Sequence, residues 1–351
     1  MKILIVDNGI PFDLNTPYVQ CLGGSEITAL LLAKGLSNLS HSVVLLTNMN
    51  TKEQNNYLLL DNINNFYAYA KQADIILLNR YIPPTIMDFI HVKRVFYIAH
   101  DAYDQPIIRW LMNKNSEQYL DKIICVSEWQ RQTFINYLKV DETKLIVLGN
   151  PIDYSLYNGF TERNLNRLIF ASIPYKGLDI IPDLFNEIKI KSKNKELFLD
   201  IYSSFELYHN YENDKQYSDT FRALNNIKDI NIFKPVSMKD LAYVYKTASL
   251  NLAPSTYHET FGRIFVEAAA CGCLTVCLNN GANKEILGDN GFIINFTNIY
   301  NIEVFHSFVN TVCELLEKDL YSARVKAERE MKKWDYMIVS KKLEKILTAE
   351  V

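Results

Sequence analysis

Leu250–Gly272 reads LNLAPSTYHETFGRIFVEAAACG, and the rest of the chain is best read outward from it. An apolar, strand-like run (Leu250, Leu252, Ala253) stops at Pro254-Ser255, a loop carries Glu259, and Gly262 opens a helix-like pattern that holds Glu267 and ends at Gly272. The first turn of a helix has backbone N–H groups without intrahelical partners and the positive end of the macrodipole, which together seat an anion such as a phosphate. Gly262 has no Cβ and lets the backbone approach that anion. Glu259 falls ahead of the helix and Glu267 about a turn and a half inside it, so the two acids would bracket a diphosphate. A carboxylate accepts two hydrogen bonds at once, which suits vicinal sugar hydroxyls. One acid for a ribose and one for a second sugar would make a nucleotide-sugar site.

These residues resemble the C-terminal signature of the GT-B glycosyltransferases of the retaining glycosyltransferase 4 type. That signature has a Pro-Ser, then Glu-x-Phe-Gly, then a Glu eight positions after the first. Here it is Pro254-Ser255, Glu259-Thr260-Phe261-Gly262 and Glu267, followed by Ala268 and Cys271-Gly272. The resemblance implies an α/β protein of two Rossmann-like domains, with parallel sheets facing a central cleft. It implies donor contacts from Phe261, Gly262, Arg263, Ile264 and Glu267. Taken singly, Glu259 reads as a loop acid and Glu267 as a solvated helix acid; the constellation carries the functional reading.

The bulk numbers agree with such a protein. At 351 residues, two domains are the natural expectation. The chain is 48% hydrophobic and 22% charged with a net charge of −3, which leaves no electrostatic footprint for nucleic acid. No Lys/Arg cluster argues membrane docking by charge alone, so only a weak peripheral membrane contact stays open. Met1–Gly9 reads as a short strand rather than a signal peptide, and no apolar run approaches a membrane span. The six cysteines then read as free thiols in a reducing, cytoplasmic setting, and Cys271-Gly-Cys273 lacks a second pair at zinc spacing.

Short apolar runs alternate with longer amphipathic ones, the pattern of βα units around parallel sheets. Strands are expected at 2–6, 42–46, 75–78, 94–98, 122–126 and 145–148 in the first half, and at 168–171, 197–202, 230–233, 250–253 and 274–277 in the second. Helices are expected at 25–39, 128–138, 179–191, 239–247 and 262–271, and a continuous helical pattern at 301–351 breaks near Trp334-Asp335. The pattern fails around Asn150-Pro151, which divides the chain into a domain 1–153 and a nucleotide-sugar domain 154–334. By resemblance the last helix, 335–351, packs back on the first domain. The 8–23 segment reads as an irregular insertion, and it and the 48–65 segment read as loops that would bind acceptor, without a recognisable motif.

Further candidates lie at expected strand ends, where doubly wound sheets collect ligands. His100 follows one such strand and resembles the family's histidine that reaches the donor sugar. Gly23-Gly24-Ser25-Glu26 opens the first long helix, with Ser25 read as its N-cap; the resemblance adds donor contacts from Gly23 and Gly24. Lys176-Gly177 matches the family's Lys-Gly that holds the diphosphate. The family's Arg, five positions before that Lys, is Ala171 here, and Arg263 is expected to substitute. Asn279-Asn280-Gly281 resembles the glycine-rich turn after the next strand, whereas Tyr202-Ser203-Ser204 replaces the family's glycine pair.

The chain has no Asp-x-Asp, the pair that holds a divalent ion on the diphosphate in metal-dependent glycosyltransferases. Its absence favours a metal-independent, cofactor-free reaction in which cations and helix amides neutralise the leaving group. The expectation is therefore retaining transfer of a hexose-type sugar from a nucleoside diphosphate donor to a carbohydrate or lipid-linked hydroxyl acceptor. Glu259, His100 and Lys176 are the expected catalytic residues. A nucleotide-sugar epimerase and a non-catalytic glycan-binding subunit on the same fold are the alternatives.

Overall fold

Short runs of Ile, Val, Leu and Phe, too brief for a stable helix, form two separate sheets in the computed structural model, which describes residues 1–90, 93–113, 116–208 and 210–349. The first sheet contains β1 (Lys2–Asp7), β2 (Ser42–Thr47), β3 (Glu53–Asn55), β4 (Leu58–Asn62), β5 (Ile75–Asn79), β6 (Arg94–Ala99), β7 (Lys122–Cys125) and β8 (Leu145–Val147). Their order is β3-β4-β2-β1-β5-β6-β7-β8, parallel except for β3, which pairs antiparallel with β4 at the edge. Helices cover both faces of such a sheet, so its strands are apolar on both sides; Ile3, Leu4, Ile5 and Val6 are all buried. The chain direction across the sheet reverses between β1 and β5. Asp7 and Asn79 end these two strands in direct register, at the crevice where doubly wound sheets bind ligands.

The second sheet contains β9 (Arg167–Phe170), β10 (Phe198–Tyr202), β11 (Ile230–Phe233), β12 (Leu250–Ala253), β13 (Leu274–Leu278) and β14 (Phe292–Ile294), in the order β11-β10-β9-β12-β13-β14 and parallel throughout. Its reversal lies between β9 and β12. Lys176 follows the first of these strands and Glu259 the second, so the topology alone delivers both to one crevice.

The chain divides into one unit of Met1–Pro17, Leu22–Asp153 and Lys333–Val351 and a second of Tyr18–Cys21 and Tyr154–Lys332. Two details differ from the expected bounds: Tyr18–Cys21 groups with the second unit, and Lys333 and Trp334 group with the first. The second difference has a local cause. Ile152 N–H donates to the Trp334 carbonyl at 2.8 Å and Tyr336 N–H donates to the Ile152 carbonyl at 2.9 Å, a small bridge that fastens the returning chain before its last helix starts. Asp335 caps that helix, Tyr336–Thr348, by accepting from Met337 N–H at 3.0 Å; the helix packs on Gly24–Asn38 of the same unit. Positions 350 and 351, expected in this helix, lie outside the described residues.

Several elements depart from expectation. The 48–65 segment is not all loop: Leu58 and Leu60 are buried and set β4 against β2, a strand signal diluted by the surrounding asparagines. The 8–23 segment holds a short helix, Thr16–Val19, and β14 extends the second sheet beyond its expected edge. The 128–138 helix changes winding, with α-helix at Glu128–Thr133 and a π-turn at Phe134–Leu138. The C-terminal helical region also breaks between Leu316 and Tyr321. Among the described residues no helix is long and apolar enough to cross a membrane.

Candidate functional site

In the second unit, β9 runs out at Phe170 and the chain makes a 3-10 turn at Pro174–Lys176. Across the crevice β12 ends at Ala253, and the Ser255 hydroxyl accepts from Tyr257 N–H at 3.0 Å to shape the next loop. Lys176 Nζ meets Glu259 Oε1 at 2.5 Å, with only 18% and 7% of the two side chains exposed. Burial alone would lower the Lys176 pKa, but the Glu259 carboxylate more than offsets it and the pKa rises above the ordinary lysine value. The Tyr257 ring adds a cation–π contact, its centroid 5.2 Å from Lys176 Nζ.

Glu259 is fixed from behind by the Asn279-Asn280-Gly281 turn. Ala282 N–H donates to the Glu259 carbonyl at 2.7 Å, and the Asn280 amide donates to the carbonyls of Ser255 at 3.0 Å and Thr297 at 2.9 Å. Gly281 has φ +62°, and a Cβ there would fall 2.2 Å from the Glu259 carbonyl oxygen and 2.6 Å from its nitrogen. Only glycine fits that backbone-to-backbone approach.

Gly262 stands at the head of helix Arg263–Ala270 with φ +72°. A Cβ would fall 2.4 Å from the Phe265 ring, so the glycine is needed for both conformation and space. Within the helix Arg263 donates to Glu267 at 2.8 Å, four residues on, and their side chains are only 9% and 6% exposed. Glu267 is therefore not a solvated helix acid, nor Arg263 a solvated first-turn residue. Burial raises the Glu267 pKa above the ordinary carboxylate value, opposed by the Arg263 guanidinium. Tyr157, fully buried, lies close enough for the Glu267 charge to help push its phenol pKa up. Phe261 is buried and Ile264 partly buried. The acids of two buried cation–acid pairs, Lys176–Glu259 and Arg263–Glu267, thus stand on either side of Gly262 in sequence. Arg263, expected to substitute for the arginine that Ala171 replaces, donates to Glu267.

The Tyr202-Ser203-Ser204 turn is closed without glycine. The Ser204 hydroxyl donates to Asp214 at 2.5 Å and Phe205 N–H donates to the same carboxylate at 2.9 Å. At the opposite ends of these strands an open cavity of about 810 Å³ is lined by Arg163, Arg167, Asp200, Asn231 and Tyr243 among others. It is remote from Lys176 and Glu259 along the strands, and its polar groups serve one another: Arg167 donates to Asp200 at 2.7 Å and Asn231 to the same carboxylate at 2.8 Å.

In the first unit the helix Gly24–Asn38 starts one residue earlier than expected. Gly23 is its N-cap and Ser25 lies inside the first turn, its hydroxyl donating to Glu26 at 2.9 Å. Glu26 is buried and accepts from Ile10 N–H at 3.3 Å, and a Cβ at Gly23 would fall 2.2 Å from its carboxylate. The His100 Nε2 lies 2.8 Å from Asn79 Oδ1, and the Asn79 amide donates to Asp7 Oδ2 at 2.5 Å. Beside them Arg80 grips Asp101 through two hydrogen bonds of 2.8 and 2.9 Å. Asp7, Asn79, Arg80 and Asp101 were not foreseen. The only sequence signal for them is a polar residue closing an apolar strand.

Among the described residues no group of three or more His, Cys, Asp or Glu side chains could hold a metal ion. All six cysteines are unpaired, and burial raises the thiol pKa values of Cys273 to about 11 and Cys277 to about 12.

Comparison with known proteins gives one consistent result. The family described as "Glycosyl transferases group 1" matches residues 163–330, and that described as "Glycosyltransferase Family 4" matches residues 22–156. An uncharacterized glycosyltransferase of Methanocaldococcus jannaschii is 27% identical over 175 residues, which are 49% of this chain and 45% of that protein, so the match spans less than half of the relative's length. Among solved structures, Anabaena HepE in complex with UDP and glucose superposes with a TM-score of 0.72 at 17% identity, covering 99% of each chain. A glycosyltransferase from Rickettsia africae superposes with a TM-score of 0.71 at 17% identity, covering 99% of this chain and 97% of that one. Likeness at this identity establishes the shared fold.

Proposed function

We propose that this chain, which matches glycosyltransferase family models over residues 22–156 and 163–330 and has the GT-B fold, moves a hexose-type sugar from a nucleoside diphosphate donor to a hydroxyl acceptor, with retention at the anomeric carbon and without a metal ion. The observation that carries this reading is the crevice of the second sheet, where Lys176 and Glu259 meet beside the glycine-headed helix that holds Arg263 and Glu267. In this reaction the anomeric C–O bond to the diphosphate breaks, a bond to the acceptor oxygen forms on the same face, and the acceptor proton passes to a departing phosphate oxygen. Negative charge grows on the diphosphate as positive charge grows on the sugar. Lys176 and the first-turn amides after Gly262 suit the former, and Glu259 suits the latter. Glu267 would hold the ribose, and His100 would orient the sugar together with Glu259.

Retention, the hexose and metal independence rest on the motif resemblance together with this geometry. Anabaena HepE has been crystallised with UDP and with UDP-glucose, which makes uridine diphosphate donors the first to test. The experiment is a thermal-shift panel of nucleotides and nucleotide sugars followed by product analysis with a labelled donor, with and without hydroxyl acceptors. A ligand at a hundredfold its Kd should stabilise the protein by about 2.7 kcal/mol. Labelled sugar on an acceptor supports transfer. An epimerised donor with no acceptor requirement replaces the reading with an isomerase, and neither product leaves a glycan-binding subunit.

A further inference from the structure

We infer that Asn79 is a positioning residue that fixes the tautomer of His100, holding the ring proton on Nε2 and making Nδ1 the acceptor of the neutral ring. The argument starts from the crevice between β1 and β5. The Asn79 side-chain amide donates to Asp7 Oδ2 at 2.5 Å and to the Ser25 carbonyl at 3.1 Å. A carbonyl has no proton to give, so the Ser25 contact alone requires the nitrogen of the Asn79 amide at that place. The contact with Asp7 Oδ2 is compatible with that orientation, and the other Asp7 oxygen accepts from Gly9 N–H at 2.8 Å. The Asn79 oxygen therefore faces His100 Nε2, 2.8 Å away, and an amide oxygen can only accept. The proton in that contact must come from the imidazole.

A second clamp runs beside the first. Asn79-Arg80 at the end of β5 and His100-Asp101 at the end of β6 are joined twice, by Asn79 to His100 and by the two-pronged Arg80–Asp101 pair. Arg80 has φ +59°, a conformation that a non-glycine residue holds only when its surroundings over-determine it. Gln130 adds a further tie by donating to the Asp101 carbonyl at 2.9 Å. The ring is thus held in place with Nε2 as the donor to Asn79. Given the glycosyl-transfer reading, on which this consequence rests, the neutral His100 ring has its acceptor and not its donor at Nδ1.

The test is NMR of protein labelled with ¹⁵N-histidine, without substrate. The His100 ring signals are identified among the six histidines by their loss in His100→Gln. The neutral wild-type ring should carry a slowly exchanging proton on Nε2 and an unprotonated Nδ1. Asn79→Leu should remove that protection and lower kcat about tenfold while leaving nucleoside diphosphate affinity unchanged. A neutral wild-type ring protonated on Nδ1 overturns the inference whether or not any variant folds. So does a folded Asn79→Leu protein with an unaltered ring signal and wild-type kcat. The ring state is read without turnover, so an absence of sugar transfer would sink the functional reading and still leave this inference to be decided.

Discussion

Lys176 Nζ and Glu259 Oε1 stand 2.5 Å apart, in a pair that ties the turn after β9 to the loop after β12. Its two partners come from opposite sides of the point where the second sheet reverses direction. A diphosphate that reaches Lys176 must share the lysine with this carboxylate or displace it.

Glu259→Gln should therefore separate binding from chemistry. The substitution keeps the volume but removes the charge that neutralises Lys176, so nucleoside diphosphate affinity should hold or rise. Turnover should fall on the order of a hundredfold, the size of effect seen when one preorganised electrostatic partner is lost, with kcat and kcat/KM falling together. Titration calorimetry with the diphosphate alongside initial-rate kinetics reads both quantities. Weaker diphosphate binding, or normal turnover of folded variant, removes Glu259 from its place opposite the sugar.

Glu267 is tested best with two substitutions. Glu267→Ala leaves Arg263, only 9% exposed, without its carboxylate, so a stability loss of about 3–5 kcal/mol should accompany weaker nucleotide binding. Glu267→Gln keeps a hydrogen-bond acceptor beside Arg263 and should stay folded, yet lose charge-assisted bonds to ribose, which are worth about 1.5–3 kcal/mol each. The loss should be equal for free nucleoside diphosphate and for sugar donor. A folded Glu267→Gln protein with wild-type diphosphate affinity would leave Glu267 as the structural partner of Arg263 alone.

The second unit was more legible in the sequence than the first. Glu259, Gly262 and Glu267 form a short local pattern, and the need for glycine at 262 follows from φ and the Phe265 ring, both set within a few residues. The Lys176–Glu259 pair spans more than eighty positions and only strand order brings it together. The buried state of Arg263 and Glu267 was hidden because an i,i+4 Arg–Glu pair usually marks a solvated helix face; here both side chains are less than a tenth exposed and Tyr157 lies close to Glu267. Apart from His100, the Asn79 cluster left almost no trace, since its members are only one or two polar residues at the end of an otherwise apolar strand. Ser25 was misread as a cap because the glycine before it ends the loop at Gly23 and lets the helix start early.

Chelation tests the leaving-group account directly. On the proposed role of Lys176 and the amides after Gly262 toward the diphosphate, and with no Asp-x-Asp in the chain, activity should survive exhaustive treatment with EDTA. Initial rates before and after chelation, with Mg²⁺ and Mn²⁺ added back, give the answer. Loss of turnover with EDTA and its restoration by either ion would mean that cations of the protein do not suffice.

Asp7 gives the protein a specific pH dependence. Its side chain is only 1% exposed, and burial, reinforced by the charge of neighbouring Glu26, raises its pKa from 3.8 to about 7 against the hydrogen bonds from Asn79 and Gly9. Below pH about 4 the carboxyl is protonated in both the folded and the unfolded chain and costs nothing. Between pH 4 and 7 the unfolded chain releases the proton while the folded one keeps it. The folded state then binds more protons, and stability falls as pH rises. Above pH about 7 the loss is complete, at about 1.4 kcal/mol for each unit by which the pKa is raised. Asp7→Asn cannot titrate, so its Tm should gain on that of the wild type as pH is raised from 5 to 8, with the other carboxylates cancelling in the difference. Melting curves of the two proteins in matched buffers measure this, and a Tm difference that stays flat across the range would mean that Asp7 carries its charge in the folded protein at little cost.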